Sequence, residues 1–520
     1  MRLLLNILLL LCLNLSALKF LVYNPCFGPS QVLFMGQIAD TLAAAGHEVV
    51  NYCPEISVSC NITGTKLSRV LTRKRGYQSD FRVEDSHRDA WLLNHQSYFV
   101  GAQLFAALGD EFQLACEDQL KDEKLIKTLR NENFDLGLTE SFDMCGFALF
   151  HKAGIRKYNL VFSFPITSEL EFFGISFPRS FVPAMFVSST TEKMSMWERV
   201  TNIASHYIYK YYVIGSHLGQ TARAFPSDMP DYQEVLARSQ YVFVNVDEHF
   251  DFPIPLSSKI VYIGGLNMRD TQKAENELSP EIKDACGNSR RGCVLISFGT
   301  IASSYAMDMK RKQAFVDAIR QFPDVTFIWK YEKTPDFDLP SNVLILPWVP
   351  QTQLLSNSRL LAMISHCGLN SVMQLAYKGV PVVCIPLFGD QTRNAAMVES
   401  RGVGVKLDKF VLNADIIVSA LRKVLDDPSY RKQAQELSSM MLNKPFSQEE
   451  KLVRFTEHAA RYDIGTNLDM YGRHLNWFTY NNYDILFLFL SLISTFVFVV
   501  FFFITRKLNT KQRDDLKKSI

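Results

Sequence analysis

The sequence predicts an α/β protein with two doubly wound parallel sheets, followed by one membrane-crossing helix. Three observations carry this. Strand and helix patterns alternate near the start, where an apolar stretch at 20–24 precedes a helical stretch at about 32–45 and a second apolar stretch at 48–52. The alternation resumes after Cys293, with strands at 294–298 and 325–330, a helix around 309–322, and so on to a helix near 414–426. Residues 485–504 are apolar without interruption, which is about the length a bilayer requires. Strands separated by helices pair in parallel, because each crossover returns the chain to the same edge.

The ends set the topology. Arg2, an apolar stretch at 3–15 and the small residues Ser16 and Ala17 read as a secretory leader over residues 1–17. Beyond the apolar run, residues 505–520 carry Arg506, Lys507, Lys511, Arg513, Lys517 and Lys518 against Asp514 and Asp515, so this tail should stay cytoplasmic. The bulk then faces the lumen, as in a single-pass type I membrane protein. Asn61-Ile62-Thr63 is a glycosylation sequon in that lumenal part.

Between the ends, 520 residues at 48% hydrophobic exceed what one core usually holds, so two domains are expected. Residues 18–265 form the first. The polar stretch 266–292 reads as a linker, 293–440 as the second domain, and 441–484 as helices that return to the first domain and then meet the membrane interface. Within the first domain, residues 164–223 look irregular and aromatic, with Phe172, Phe173, Phe177, Phe181, Phe186, Tyr207 and Tyr212 either lining an apolar pocket or serving as core or membrane-contacting surface. A net charge of +2 argues against a nucleic-acid partner. Of ten cysteines, Cys12 falls in the leader and leaves an odd number. None lies in a CxxC pair or a zinc pattern, so no metal site is expected, but Cys286 and Cys293 are close enough to bridge in an oxidising lumen.

The chemistry concentrates between 348 and 391. A strand at 359–364 leads into a turn at 367–371 and a helix at 372–378, which Gly379 and Pro381 stop before the next strand at 382–385. A helix start presents unpaired N–H groups and partial positive charge, so the backbone at Asn370 and Ser371, beside Gly368, suits a pyrophosphate. Ser365 and His366 add side-chain donors. Trp348 offers a flat face for a base, and Gln351 can pair with amide or hydroxyl groups. Asp390 and Gln391 follow another strand, at the edge where open α/β sheets bind ligands, and can hold sugar hydroxyls. A nucleotide sugar fits this set. Neither GxGxxG after a strand nor GxxxxGK[ST] occurs, which disfavours dinucleotides and ATP.

These residues, Trp348-Val-Pro-Gln351, Ser365-His366-Cys-Gly368-Leu-Asn370-Ser371 and Pro386-Leu-Phe-Gly389-Asp390-Gln391, resemble the signature of the UDP-glycosyltransferases, in particular the membrane-bound UDP-glucuronosyltransferases. The resemblance extends along nearly the whole chain. It implies the GT-B architecture of two facing domains, an acceptor-binding amino-terminal domain, a UDP-sugar-binding carboxyl-terminal domain and no cofactor. It further implies inverting transfer from UDP-glucuronate or UDP-glucose to a small lipophilic acceptor, residence in the endoplasmic reticulum membrane, and room for homo- or hetero-oligomers. It places Thr300 near the diphosphate, although turn chemistry alone also explains a threonine there.

Three positions depart from that pattern. The family's catalytic histidine, in the first strand–helix turn, is Gln31 here, and an amide has no useful basicity near neutral pH. The partner carboxylate is Glu140, which can act directly or merely cap the next helix, with Asp143 as a substitute. Gln374 stands where an acidic residue would hold ribose hydroxyls, and Ile254 where an arginine is common. A silent, lipophile-binding or partner-modulating member of the family is the alternative these departures leave open.

Overall fold

The computed structural model describes residues 17–57, 60–80, 90–92, 98–185, 190–268, 278–300 and 302–518. Nearly all of the leader, Phe186 and the centre of the polar stretch at 269–277 lie outside the described residues. The two doubly wound sheets that the sequence predicts are present. The first comprises β1 (Lys19–Tyr23), β2 (Glu48–Pro54), β3 (Arg69–Arg73), β4 (Leu136–Glu140), β5 (Tyr158–Phe162), β6 (Val242–Val244) and β7 (Ile260–Tyr262), in the order β3-β2-β1-β4-β5-β6-β7. The second comprises β8 (Gly292–Ser297), β9 (Val325–Lys330), β10 (Val343–Leu346), β11 (Leu360–Ser365), β12 (Val382–Cys384) and β13 (Gly404–Lys406), in the order β10-β9-β8-β11-β12-β13. Every strand pair is parallel.

Central strands are buried on both faces, and Gly292–Ser297 and Leu136–Glu140 have no exposed position. That explains why the stretch at 293–296 reads as a continuous apolar run rather than an alternating one. One core packs Phe20, Val22, Ile38 and Leu138 with Leu452, Ala459 and Ala460 of the Gln448–Arg461 helix, so this late helix returns to the first sheet. The other core packs Val294, Phe327 and Ile364 around Trp329, and takes in Trp91 from the first half of the chain. The Trp91 indole donates to the Ser303 carbonyl at 3.1 Å.

Some segments differ from the sequence reading. The helix placed at 372–378 begins earlier, at Leu369, because buried Leu369 anchors its first turn after an extended Gly368. The segment that looked irregular is largely helical from residue 196: Met196–Ile208 is α-helical, Tyr209–Ile214 is a π-helix and Gly215–Thr221 is α-helical again. Its start is a capping box in which Ser195 and Glu198 satisfy each other's backbone N–H. The polar stretch contains a helix of its own, Pro280–Gly287.

Cys286 and Cys293 do bridge, and three further disulfides join Cys26 to Cys60, Cys116 to Cys145 and Cys367 to Cys384. Cys53, buried, is the free thiol among the described residues. A second compact unit comprises residues 173–175 and 470–520. It holds the helix Tyr483–Lys518, of which Tyr483–Asp515 is 33 residues with hydropathy 2.8 in its most apolar window, long and apolar enough to cross a membrane.

Candidate active site at two facing sheet edges

In each sheet the strand order reverses once, between β1 and β4 in the first and between β8 and β11 in the second. Ligands of open α/β sheets bind beyond the carboxyl ends of the strands at such a reversal. Gln31 and Glu140 follow β1 and end β4, while Thr300 and His366 follow β8 and β11, so both reversal points carry residues singled out in the sequence.

At the first edge, Gly28 caps the Pro29–Ala44 helix with extended backbone and Pro29 fills the first helical position, where no N–H is required. Gln31 is half-buried in that first turn, and its carbonyl oxygen accepts from the Ser30 hydroxyl at 2.6 Å. Glu140 is 3% exposed. Its carboxylate accepts from the Phe142 N–H at 2.6 Å and from the Ser163 N–H and hydroxyl at 3.2 and 3.0 Å. Burial pushes its pKa up to about 7, against the opposing pull of those N–H donors. Asp143 takes a different place. It accepts from the Tyr23 hydroxyl at 2.7 Å and the Cys145 N–H at 2.9 Å, and burial raises its pKa to about 6. Both of its oxygens are thus engaged in the interior, one of them on the first N–H of the Cys145–Ala153 helix, whose N-cap position is Met144.

At the second edge, the His366 ring lies between two glycines. A Cβ on Gly299, whose φ is +83, would sit 2.7 Å from the ring, and one on Gly368 would sit 2.6 Å from its Nε2, so neither position accommodates a side chain without moving the imidazole. Nδ1 of His366 is buried with no hydrogen-bond partner in the protein. Burial first, then the Lys330 ammonium, holds the imidazole pKa down at about 4, so the ring is neutral at physiological pH. Cys367 adopts φ 60, an uncommon conformation for a side-chain-bearing residue. It is held there by the Cys384 disulfide and by the Ser365 hydroxyl, which accepts its N–H at 3.1 Å.

The first helical N–H to be satisfied within the Leu369–Lys378 helix is that of Val372, which leaves the N–H groups of Asn370 and Ser371 outside the ladder. Gln351 donates to Ser371 at 3.2 Å and to Gln374 at 2.7 Å, so these three form one polar cluster. Trp348 is 64% exposed, with the Lys330 ammonium 5.9 Å from its ring. Thr300 is exposed and follows Gly299, whose carbonyl accepts from the Lys330 ammonium at 2.9 Å. Asp390 accepts from Asn394 at 2.7 Å, and burial raises its pKa. Asn394 also donates to the Cys367 carbonyl, which ties the Asp390 turn to the His366 turn. Gln391 is buried, and its carbonyl oxygen accepts from the N–H groups of Leu387 and Phe388, so it shapes the loop ahead of it.

Two residues that the sequence reading passed over join the edges. The Asn245 amide donates to the Ser163 carbonyl at 3.3 Å and to the Asn370 side chain at 3.0 Å. Ser163 in turn holds Glu140, so a short chain of hydrogen bonds runs from the carboxylate of one sheet to the helix start of the other. Ser163 and Asn245 are each the first polar residue after an apolar strand, the same signal that drew attention to Ser365. Around them the sheets are fixed by buried polar pairs. Asp247 accepts from Tyr377 at 2.8 Å and from Lys444 at 2.7 Å, and Arg393 pairs with Asp251 at 2.8 Å while stacking 5.2 Å from Phe252.

The family model described as "UDP-glucoronosyl and UDP-glucosyl transferase" matches residues 20–515. A Caenorhabditis elegans relative named as UDP-glucuronosyltransferase ugt-48 is 31% identical over 493 residues, covering 90% of this chain and 91% of the relative. Human UDP-glucuronosyltransferase 1A10 is 27% identical over 485 residues, covering 90% and 88%. Among solved structures, Os79 from O. sativa in complex with UDP superposes with a TM-score of 0.58 at 17% identity over 85% of this chain and 100% of that one. A UDP-glucosyltransferase from Polygonum tinctorium gives 0.59 at 14% identity over 86% and 99%. A match along nearly the whole chain, a relative above 30% identity and glycosyltransferase folds on both sheets agree: the chain belongs to the UDP-glucuronosyl and UDP-glucosyl transferases, hexosyltransferases that draw on a UDP-sugar.

Proposed function

We propose that the chain transfers glucuronic acid or glucose from UDP to a small lipophilic acceptor, with inversion, and that Glu140 takes the acceptor's proton. The hydrogen-bonded run from Glu140 through Ser163 and Asn245 to Asn370 carries this reading, because it brings a buried carboxylate alongside a helix start suited to a diphosphate. Uracil stacks on Trp348, the ribose meets Gln351 and Gln374, and the diphosphate meets His366 Nδ1-side polar space, Thr300 and the N–H groups of Asn370 and Ser371. Asp390 and Gln391 hold sugar hydroxyls, and Ser365 and Gly368 shape the turn. The acceptor oxygen loses its proton to Glu140 and attacks the anomeric carbon from the face opposite the diphosphate. The bond from that carbon to the phosphate oxygen breaks, and UDP leaves with the electron pair. A carboxylate with a pKa of about 7 is matched to this work near neutral pH.

The same reading places the enzyme as a type I protein of the endoplasmic reticulum membrane with its bulk in the lumen, where the exposed Asn61 is open to glycosylation. Gln31 favours a second reading, a silent member that binds a lipophile or modulates related transferases, since its amide supplies no base. Gln31→His separates the two. A gain in turnover on phenols, read by mass spectrometry with both UDP-glucuronate and UDP-glucose, supports the transferase. No turnover from the parent chain or from the variant, with UDP binding intact, supports the silent protein.

A further inference from the structure

Trp91 belongs to the first half of the chain, between β3 and the Tyr98–Leu120 helix, yet its side chain lies in the core of the second sheet. It is 1% exposed, and Ala90 beside it is wholly buried in the same core. A buried indole must still place its N–H, and this one gives it to the Ser303 carbonyl at 3.1 Å. Its ring meets Phe298 edge-on, with ring centres 4.8 Å apart. Phe298 and Ser303 stand before and after Gly299 and Thr300 in the chain, so the indole grips the outgoing turn of β8 from both ends.

Lys409 fastens the same dipeptide from another direction. It is buried, and its ammonium donates to the Ala90 carbonyl at 2.6 Å and to the Leu387 carbonyl at 2.9 Å. A buried ammonium holds its acceptors firmly, because losing one leaves a charge poorly solvated. Leu387 is fixed at its other backbone group too, since its N–H reaches the side-chain oxygen of Gln391 at 2.7 Å. The loop that carries Asp390 and Gln391 is therefore tied to Ala90 through one lysine.

We propose, on the donor placement of the proposed function, that Ala90 and Trp91 form a peg which sets the spacing between the diphosphate turn after β8 and the sugar loop after β12. Trp91 and Lys409 are then positioning residues for the UDP-sugar. In the sheet β11 lies between β8 and β12, so no ladder bond joins their outgoing turns, which strand spacing alone would leave ~10 Å apart. The peg bridges that gap. A donor whose two ends rest on separate turns reacts well only while both keep their places, since a shift of about 1 Å can cost about 10²-fold in rate. The half of the molecule that carries Glu140 thus helps to set the donor site of the other half.

The test is calorimetry on the full chain in detergent, without acceptor, using UMP, UDP and whichever of UDP-glucose and UDP-glucuronate binds more tightly. Trp91→Phe keeps a ring against Phe298 and removes the N–H to Ser303, so UDP should weaken by about 3–10-fold while UMP, which lacks the outer phosphate, holds. Lys409→Met releases the Leu387 carbonyl, so the UDP-sugar should weaken by about 10-fold relative to UDP. Lys409→Arg keeps a cationic donor and should restore most of that ratio. If Lys409→Met does not fold, Trp91→Phe decides through UMP and UDP. Equal weakening of all three ligands overturns the proposal, because it marks general loosening, and unchanged binding in both variants overturns it as well. Asp390→Ala separates the peg from the functional reading. If it lowers the ratio of UDP-sugar to UDP affinity and Lys409→Met does not, only the peg fails. If Asp390→Ala leaves the ratio unchanged, the sugar lies elsewhere, and the functional reading fails and takes the peg with it.

Discussion

Replacing Glu140 by glutamine separates two consequences of one buried carboxylate. Burial lifts its pKa from 4.5 to about 7. Each tenfold in proton affinity is worth about 1.4 kcal/mol, so the folded chain holds this proton more tightly than the unfolded chain by ~3 kcal/mol. Between the unfolded carboxyl range and pH of about 7 the folded state binds more protons, so this contribution is complete at acid pH and is lost as pH climbs through about 7. Glutamine has no charge to desolvate and keeps a carbonyl oxygen that can accept from Phe142 or Ser163. Glu140→Gln should therefore match the parent chain near pH of about 4 and exceed it by up to ~3 kcal/mol near pH of about 8, read by urea unfolding in detergent. Activity should move the other way. With the proton acceptor gone, kcat should fall about 10²–10⁴-fold, UDP affinity should hold, and the parent's own kcat should climb to a plateau above about 7. A variant as active as the parent refutes Glu140 as the base. A stability difference that is flat with pH refutes the buried carboxylate.

Three other substitutions probe the donor side and the contact between the sheets. Trp348→Ala removes an exposed ring, so melting should be unchanged while UDP binding weakens by ~1–3 kcal/mol in calorimetry; unchanged affinity would take the base elsewhere. In Gly368→Ala the new Cβ meets His366 Nε2 at 2.6 Å, so the imidazole must shift and UDP affinity should drop. Adding His366→Ala to that variant should then lower affinity little further, and full additivity would show that the two act apart. Arg393→Met leaves Asp251 charged, buried and unpaired, which should destabilise the chain by ~3–5 kcal/mol in denaturant unfolding. The double variant with Asp251→Leu should recover most of that loss.

What could be read from the sequence follows the range of the forces involved. The strands were legible because burial on both faces makes them continuous apolar runs, and Val325–Lys330 was placed to the residue. The start of the Leu369–Lys378 helix was misplaced because glycine and asparagine are common turn formers, and only the burial of Leu369 decides for the helix. Cys367 and Cys384 could not be paired from spacing. Their pairing follows from β11 lying beside β12, with Ser365 opposite Cys384, and that is a fact of sheet order. The helix Met196–Ile208 looked irregular because its buried positions, Asn202, Ser205 and His206, are polar, so no apolar stripe marks the helical period, and only their partners show what holds them. Asn245 shows the limit most plainly. As the first polar residue after a short strand it is marked no more strongly than many others, and its importance lies in what the two sheets bring to it.

The substitution at Gln31 and the pKa of Glu140 belong to one argument. Position 31 and Glu140 stand at the carboxyl ends of adjacent strands, β1 and β4. An imidazole at position 31 that took up a proton would leave a positive charge facing the carboxylate, and such a charge holds a buried carboxyl group down. The carboxylate then serves to orient the imidazole and is a poor base itself. An amide supplies no such charge, and burial is left to raise Glu140 to about 7. On the proposed mechanism, an amide at position 31 thus leaves Glu140 with the proton affinity a base requires near neutral pH. Gln31→His should reverse this, moving the acid limb of the kcat profile below that of the parent as well as raising its plateau. A histidine variant whose acid limb stays at about 7 would mean that the two side chains do not sense each other, and the direct role of Glu140 would lose its electrostatic basis.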